Sequence, residues 1–235
     1  MNLLSEQGIE TRRPLIAASI SDRELGLIDK TVLDSIDLIE LRVDHFSKLS
    51  SEYISEVINK TKGFDKHLIC TIRSTDEGGA THINDSERLR IFKEVAGLVD
   101  MIDIEAASEI FIDVLNIAKE KDKILIASIH NFDSTPSYRE LEDTVLFNKS
   151  RGAHIVKIAT MPQRREDIFS MTRLTVTYYR ENIVTICMGQ MGVITRVFFP
   201  FIGSLFTFAS VGETKAPGQM DVRRLRELMN LFSGS

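Results

Sequence analysis

The sequence predicts an α/β protein built as a single-domain (β/α)8 barrel over residues 1–235. Three observations predict it. Eight short apolar runs rich in Ile, Val and Leu recur along the chain, their starts roughly 22 to 32 residues apart, the spacing of strand–helix units. Polar stretches with apolar residues at helical spacing lie between them. No glycine-rich dinucleotide fingerprint follows the first run, which weakens the case for a doubly wound open sheet. No linker, low-complexity tract or shift in composition marks a second domain.

In chain order, LIAASI (15–20) carries Ser19 near its end. DLIELRV (37–43) carries Glu40 and Arg42, two residues apart and therefore on one face of a strand. HLICTIR (67–73) ends in Arg73 and leads into RSTDEGGATH (73–82). There the paired glycines give a loop able to bring Glu77 over a site. DSERLRIFKEVAGL (85–98) reads as a helix capped by Asn84 or Asp85. VDMIDIE (99–105) places Asp103 and Glu105 on one face, and ILIASIH (124–130) ends in His130. HIVKIAT (154–160) holds Lys157, and REDIFSMTRLTVTYYREN (165–182) reads as the next helix. NIVTICM (182–188) ends in Met188, and VFFPFIGSLFTF (197–208) reads as the seventh helix running into the eighth strand, SLFTFAS (204–210). Part of that apolar stretch would alternatively serve as a dimer surface. GETKAPGQMD (212–221), punctuated by Gly and Pro before the last helix, reads as a lid.

In a parallel barrel, reactive groups gather at the C-terminal ends of the strands. Here those ends carry Glu40, Arg42, Arg73, Asp103, Glu105, His130 and Lys157, too many charged or ionisable groups for a solvated edge. A lysine in an apolar strand is costly as a cation and, once deprotonated, is the nucleophile that forms a Schiff base with a ketone. The alternative for Lys157 taken alone is an edge-strand side chain in solvent. His130 supplies a proton carrier suited to neutral pH.

Composition narrows the remaining classes. The chain is 43% hydrophobic and 27% charged, ordinary for a globular protein. A net charge of −5 and a pI near 5.6 argue against nucleic acid as the main partner. No run of about 18 apolar residues predicts a membrane span, and the start, MNLLSEQGIETRRP, has no apolar core of signal-peptide type. Cys70 and Cys187 sit inside apolar runs without metal-ligand spacing and read as reduced core residues of a cytoplasmic protein. His45, His67, His82 and His154 have no convergent partners and read as structural or solvated. The pairs Arg12-Arg13, Arg164-Arg165 and Arg223-Arg224 read as solvated faces.

IELRVDHF (39–46), TIRSTDEGG (71–79), VDMIDIE (99–105), SIHNF (128–132), VKIATMP (156–162), MGVITR (191–196) and KAPGQ (215–219) occur in this order along nearly the whole chain. Together they resemble type I 3-dehydroquinate dehydratase. The resemblance implies elimination of water from 3-dehydroquinate to give 3-dehydroshikimate, a step of the shikimate pathway, without metal or cofactor. It places the Schiff-base lysine on Lys157, the acid/base histidine on His130 and the carboxylate that orients it on Glu77. Substrate binding falls on Arg42, Arg73 and Arg196, with Glu40 contacting hydroxyls and Arg196 holding the substrate carboxylate as a planar fork. Gln219 falls on the lid, Met188 and Phe208 on apolar walls, and Ser19 on a first-strand polar contact.

Lysine must shed its proton to attack, and burial together with nearby arginines is expected to favour that. Two positions depart from the family pattern. Lys215 replaces a serine before APGQ, either to meet the substrate carboxylate or to point to solvent. Asn131 replaces an aspartate after the histidine. The family is usually homodimeric. The competing functions are another lysine-imine barrel enzyme, such as a class I aldolase, and a metabolite-binding relative without catalysis.

Overall fold

The computed structural model describes residues 13–233. Residues 1–12 of the N-terminal stretch read for a leader, Arg12 of the Arg12-Arg13 pair among them, lie outside the described residues. Strands and helices alternate: β1 (Ile16–Ile20), α1 (Lys30–Ser35), β2 (Leu38–Arg42), α2 (Ser51–Lys62), β3 (His67–Thr71), α3 (Asp85–Val95), β4 (Met101–Glu105) and α4 (Phe111–Glu120). They continue as β5 (Ile124–Asn131), α5 (Tyr138–Ser150), β6 (Ile155–Thr160), α6 (Arg165–Thr177), β7 (Ile183–Cys187), α7 (Gly189–Ile202), β8 (Thr207–Ser210) and α8 (Val222–Phe232). Neighbouring strands are parallel in sequence order, and β8 returns to pair with β1. The seam between β7 and β8 is drawn together just before β8 begins, where the Leu205 N–H donates to the Ile183 carbonyl at 2.8 Å. This is the expected (β/α)8 barrel.

The alternation of side chains along each strand creates two cores. Ala18, Ile39, Cys70, Ile102, Ala127, Ile158, Cys187 and Ala209 point outward and pack beneath the helices. Leu15, Ala17, Leu38, Ile69, Met101, Ile126, Ile155, Val184 and Phe206 point inward and fill the barrel axis. Burying each large side chain is worth about 1.5–3 kcal/mol, so both layers hold the strands against their helices. Both cysteines are free and buried.

Local signals start the helices where the sequence suggests. Asn84 caps α3, accepting from the Glu87 N–H at 3.0 Å, so Asn84 and not Asp85 is the cap. Ser137 and Glu140 form a reciprocal capping box at the start of α5. The stretch 197–208 splits between the end of α7, a short connection and the first two residues of β8. No helix among the described residues is long and apolar enough to cross a membrane.

Candidate active site

Above the apolar axis, the inward positions of the strands switch from hydrocarbon to charge. On β2, Leu38 is followed inward by Glu40 and Arg42; on β4, Met101 by Asp103 and Glu105; on β6, Ile155 by Lys157. The period of two that builds the core thus also turns these groups inward at the C-terminal strand ends, where Glu40, Arg42 and Lys157 reach one cavity. The cavity has about 490 Å³ of empty volume. Lys157, His130, Glu77, Ser19, Glu40, Arg42, Arg73, Met188, Arg196, Phe208, Lys215 and Gln219 all line it, joined by Phe132 and Ile186.

Lys157 is 4% exposed, which removes the solvent-facing alternative. Its Nζ lies 3.1 Å from Asp103 Oδ2 and 3.6 Å from Glu40 Oε1, and it stands 4.1 Å over the Phe208 ring. The charged groups nearest the amine are therefore carboxylates, where the sequence reading expected arginines. Glu40 also accepts from Ser19 Oγ at 2.5 Å and Thr71 Oγ1 at 2.9 Å, which fixes both of its oxygens.

Arg73 is held on three sides. It donates to Asp103 Oδ1 at 2.6 Å, Glu105 Oε1 at 3.1 Å and Ser128 Oγ at 2.7 Å. Burial disfavours the Asp103 anion, but Arg73 and Lys157 overcome that and hold its carboxyl well below the usual range. Glu105 in turn pairs with Arg88, which reaches in from α3 and donates from Nε to the Ile72 carbonyl. Arg42 forms a two-point pair with Asp44, from Nε at 2.9 Å and Nη2 at 2.7 Å, and donates to the Gly78 carbonyl at 3.3 Å.

His130 and Glu77 form a pair across two strand ends. Glu77 Oε2 sits 2.9 Å from His130 Nδ1 and also accepts the His130 backbone N–H at 2.9 Å. Burial, assisted by Arg73 and Lys157, lowers the His130 pKa well below its ordinary value of 6.5. Burial also raises Glu77, to about 7, with Glu105 and Asp103 adding to it against the pull of Arg73. Two glycines place the Glu77 carboxylate. Gly78 adopts φ +83°, and a Cβ on Gly79 would stand 2.2 Å from the Arg73 carbonyl, so only glycine permits this turn.

Arg196 projects from α7 and is 2% exposed. It donates to the carbonyls of Phe208 at 3.1 Å and Pro217 at 2.9 Å, its Nε has no partner, and no carboxylate pairs with it among the described residues. Burial lowers its pKa to about 10, still cationic at neutral pH. The cavity that holds the amine therefore also holds a guanidinium with no carboxylate partner among the described residues, an arrangement that suits an anionic ligand.

Lys215 neither points to solvent nor lies free in the pocket: its Nζ is 2.8 Å from Glu24 Oε1. Asn131 turns away from the histidine, its Oδ1 accepting from the Asp133 and Ser134 N–H groups to shape the loop after β5. His154 serves structure, its Nδ1 accepting the Leu125 N–H at 3.0 Å.

The sequence reading missed Glu24, Asp44, Arg88 and Ser128 as partners in this network. Asp44 follows Arg42 by two residues and was visible as a candidate neighbour. Glu24 and Lys215 are 191 positions apart, and no local pattern links them.

Comparison with known proteins matches this geometry to one family. The model for "Type I 3-dehydroquinase" matches residues 15–235. A 3-dehydroquinate dehydratase from Thermodesulfovibrio yellowstonii is 36% identical over 220 residues, covering 93% of this chain and 94% of the relative. The crystal structure of 3-dehydroquinate dehydratase from Geobacillus kaustophilus superposes with a TM-score of 0.85 at 30% identity, covering 94% of this chain and 91% of that one. The type I enzyme from Clostridium difficile, solved with covalent modified comenic acid, gives 0.82 at 31% identity, covering 94% and 92%. With the barrel, the ordered motifs and the family model in agreement, the chain belongs to the type I 3-dehydroquinase family.

Proposed function

We propose that the protein is a hydro-lyase that converts 3-dehydroquinate to 3-dehydroshikimate through an imine on Lys157. The observation that carries this reading is the convergence of three elements in one cavity: a buried amine, a histidine–carboxylate pair and a buried guanidinium with no carboxylate partner among the described residues. Membership of a family whose relatives are named for this activity supports it.

In the proposed sequence, Arg196 binds the substrate carboxylate and turns the ring toward Lys157. The neutral amine adds to the ketone, and loss of water gives an iminium. That cation draws electrons from the neighbouring C–H bond far more strongly than the ketone does. His130 removes the proton, and its Nδ1 is steered by Glu77. The electron pair moves toward the iminium nitrogen, and the β-hydroxyl leaves as water with the proton that His130 returns. Hydrolysis of the product iminium frees Lys157. Glu40 and Ser19 receive ring hydroxyls, and Arg42 and Arg73 set the surrounding potential. Met188 and Phe208 form the apolar walls. Every step uses side chains of this chain alone.

The reading extends to a cytoplasmic homodimer. The exposed Ile194 and Phe198 on α7 are the residues whose covering a dimer would explain, and light scattering on the purified chain checks the assembly.

The central test is mass spectrometry after mixing the protein with 3-dehydroquinate and sodium borohydride. A reduced adduct on the Lys157 peptide is expected, and none in Lys157→Ala. An unmodified Lys157 in folded, ligand-binding protein would overturn the imine.

A further inference from the structure

The loop over the cavity is tied down by a buried ion pair that the proposed chemistry leaves unused. Residues 211–221 connect β8 to α8 and carry Lys215, Ala216 and Gln219 to the cavity wall. The Lys215 ammonium lies 2.8 Å from Glu24 Oε1 and 3.2 Å from Glu213 Oε2. The Lys215 and Glu24 side chains are 2% and 6% exposed, whereas that of Glu213 is 71% exposed. Glu24 belongs to a 3₁₀ turn, Arg23–Leu27, just after β1. Its other oxygen accepts from the Ser21 N–H at 2.7 Å and Ser21 Oγ at 2.6 Å, so the carboxylate is fixed independently of the lysine.

Three contacts carry that anchor into the site. The Lys215 backbone N–H donates to Gln219 Oε1 at 2.7 Å, so the positions of Lys215 and Gln219 are set together. The Pro217 carbonyl accepts from Arg196 Nη2 at 2.9 Å and from the Gly189 N–H at 3.3 Å. At the start of the loop, a Cβ on Gly212 would stand 2.9 Å from Leu27 Cδ1, so the loop leaves β8 packed against the turn that holds Glu24. A serine at position 215, as in the resembled family pattern, is too short and uncharged to make the contact with Glu24.

We propose that Glu24 is a positioning residue, whose buried pairing with Lys215 holds Gln219 and the rest of the lid over the cavity before substrate arrives. The kinetic part of this proposal rests on the dehydratase reading; the structural part does not. Removing Glu24 leaves the buried ammonium only the exposed Glu213, and removing Lys215 leaves the buried carboxylate only the neutral donors of Ser21, which is the costly way to break such a pair.

Hydrogen–deuterium exchange of the full chain, without ligand, tests it. Glu24→Gln keeps the shape of the side chain and removes its charge, and Lys215→Met keeps the length. Each is expected to raise exchange of amides 212–220 about tenfold, with the double variant no faster than either single. Exchange in β2 to β7 should match the parent, and Glu213→Gln should leave the lid unchanged. With 3-dehydroquinate as substrate, Glu24→Gln should raise KM several-fold with kcat within about twofold, since the lid contacts bind without touching the reacting atoms. Unchanged lid exchange in both single variants, or a double variant showing the product of the two increases, would overturn the clasp. A parent protein that fails to turn over 3-dehydroquinate while the exchange pattern holds would overturn the dehydratase reading and leave the clasp standing.

Discussion

Asp103 lies between Lys157 and Arg73, with Oδ2 3.1 Å from the lysine Nζ and Oδ1 2.6 Å from Arg73 Nη2. One buried carboxylate thus serves two buried cations. Asp103→Ala should lower the free energy of unfolding by about 3–5 kcal/mol, because both cations lose their shared partner. Asp103→Ala combined with Lys157→Met should cost less than the sum of the two changes. Urea unfolding of the four proteins measures the coupling, and strict additivity would refute it.

On the proposed mechanism, the Glu77–His130 pair should set the pH response. Above about 7, Glu77 is a carboxylate, accepts Nδ1–H and leaves Nε2 free as a base. Below that it holds a proton, which favours the opposite tautomer. The rate constant kcat/KM should therefore rise through about pH 7. Glu77→Gln should remove that inflection and leave only a limb below 6.5, where His130 itself takes a proton. An inflection near 7 that survives the substitution argues against the pair.

The same two groups give opposite stability slopes. His130 takes up its proton less readily folded than unfolded, so its contribution to stability is lost as pH falls through 6.5. Glu77 holds its proton more tightly folded, so its contribution is present at acid pH and lost as pH rises from 4.5 through about 7. Relative to the parent, Glu77→Gln should thus be more stable at pH 8 than at pH 5. Thermal melts at the two pH values decide it.

Arg196 faces the cavity without a carboxylate partner among the described residues. Arg196→Lys keeps the charge and loses the fork. The expected loss of about 2–5 kcal/mol in binding corresponds to a KM increase of roughly thirtyfold or more. Steady-state kinetics with 3-dehydroquinate measures it, and a KM within threefold of the parent would remove Arg196 from carboxylate binding.

Gly79 and Gly97 make a contrasting pair. Alanine at 79 meets the Arg73 carbonyl at 2.2 Å, whereas at 97 nothing lies within 4 Å. Gly79→Ala should displace the loop carrying Glu77 and reduce kcat at least tenfold. Gly97→Ala should be neutral or stabilising by about 0.4–1 kcal/mol. Equal effects at the two sites would contradict the turn geometry.

The barrel was legible because its strands announce themselves through apolar runs, and five of the eight announce themselves a second time through charged or ionisable residues toward the end of the run. Glu40, Asp103, His130 and Lys157 were found in this way, since a period of two makes facing direction a property of the sequence. The boundaries were less legible: the run 67–73 ends as a strand at Thr71, yet Arg73 still turns into the cavity because Asp103 and Glu105 draw it there. The partners that neutralise the site were hidden. Arg88 comes from a helix whose pattern indicates only an amphipathic face, and Glu24 meets Lys215 through the closure of the whole ring. Charge pairing across such separations depends on tertiary geometry, which no window of sequence contains.

The apolar axis below Lys157 has a consequence for traffic. Leu15, Leu38, Ile69, Met101, Ile126, Ile155, Val184 and Phe206 close the floor of the barrel. Among the described residues the cavity is thus closed on that side, and it opens toward the strand ends, where the loop anchored by Glu24 lines its wall. Substrate, the water shed by the reaction and the finished product must all use the same door, in turn. An inhibitor that occupies the doorway would stop entry and exit together, without reaching the amine at all.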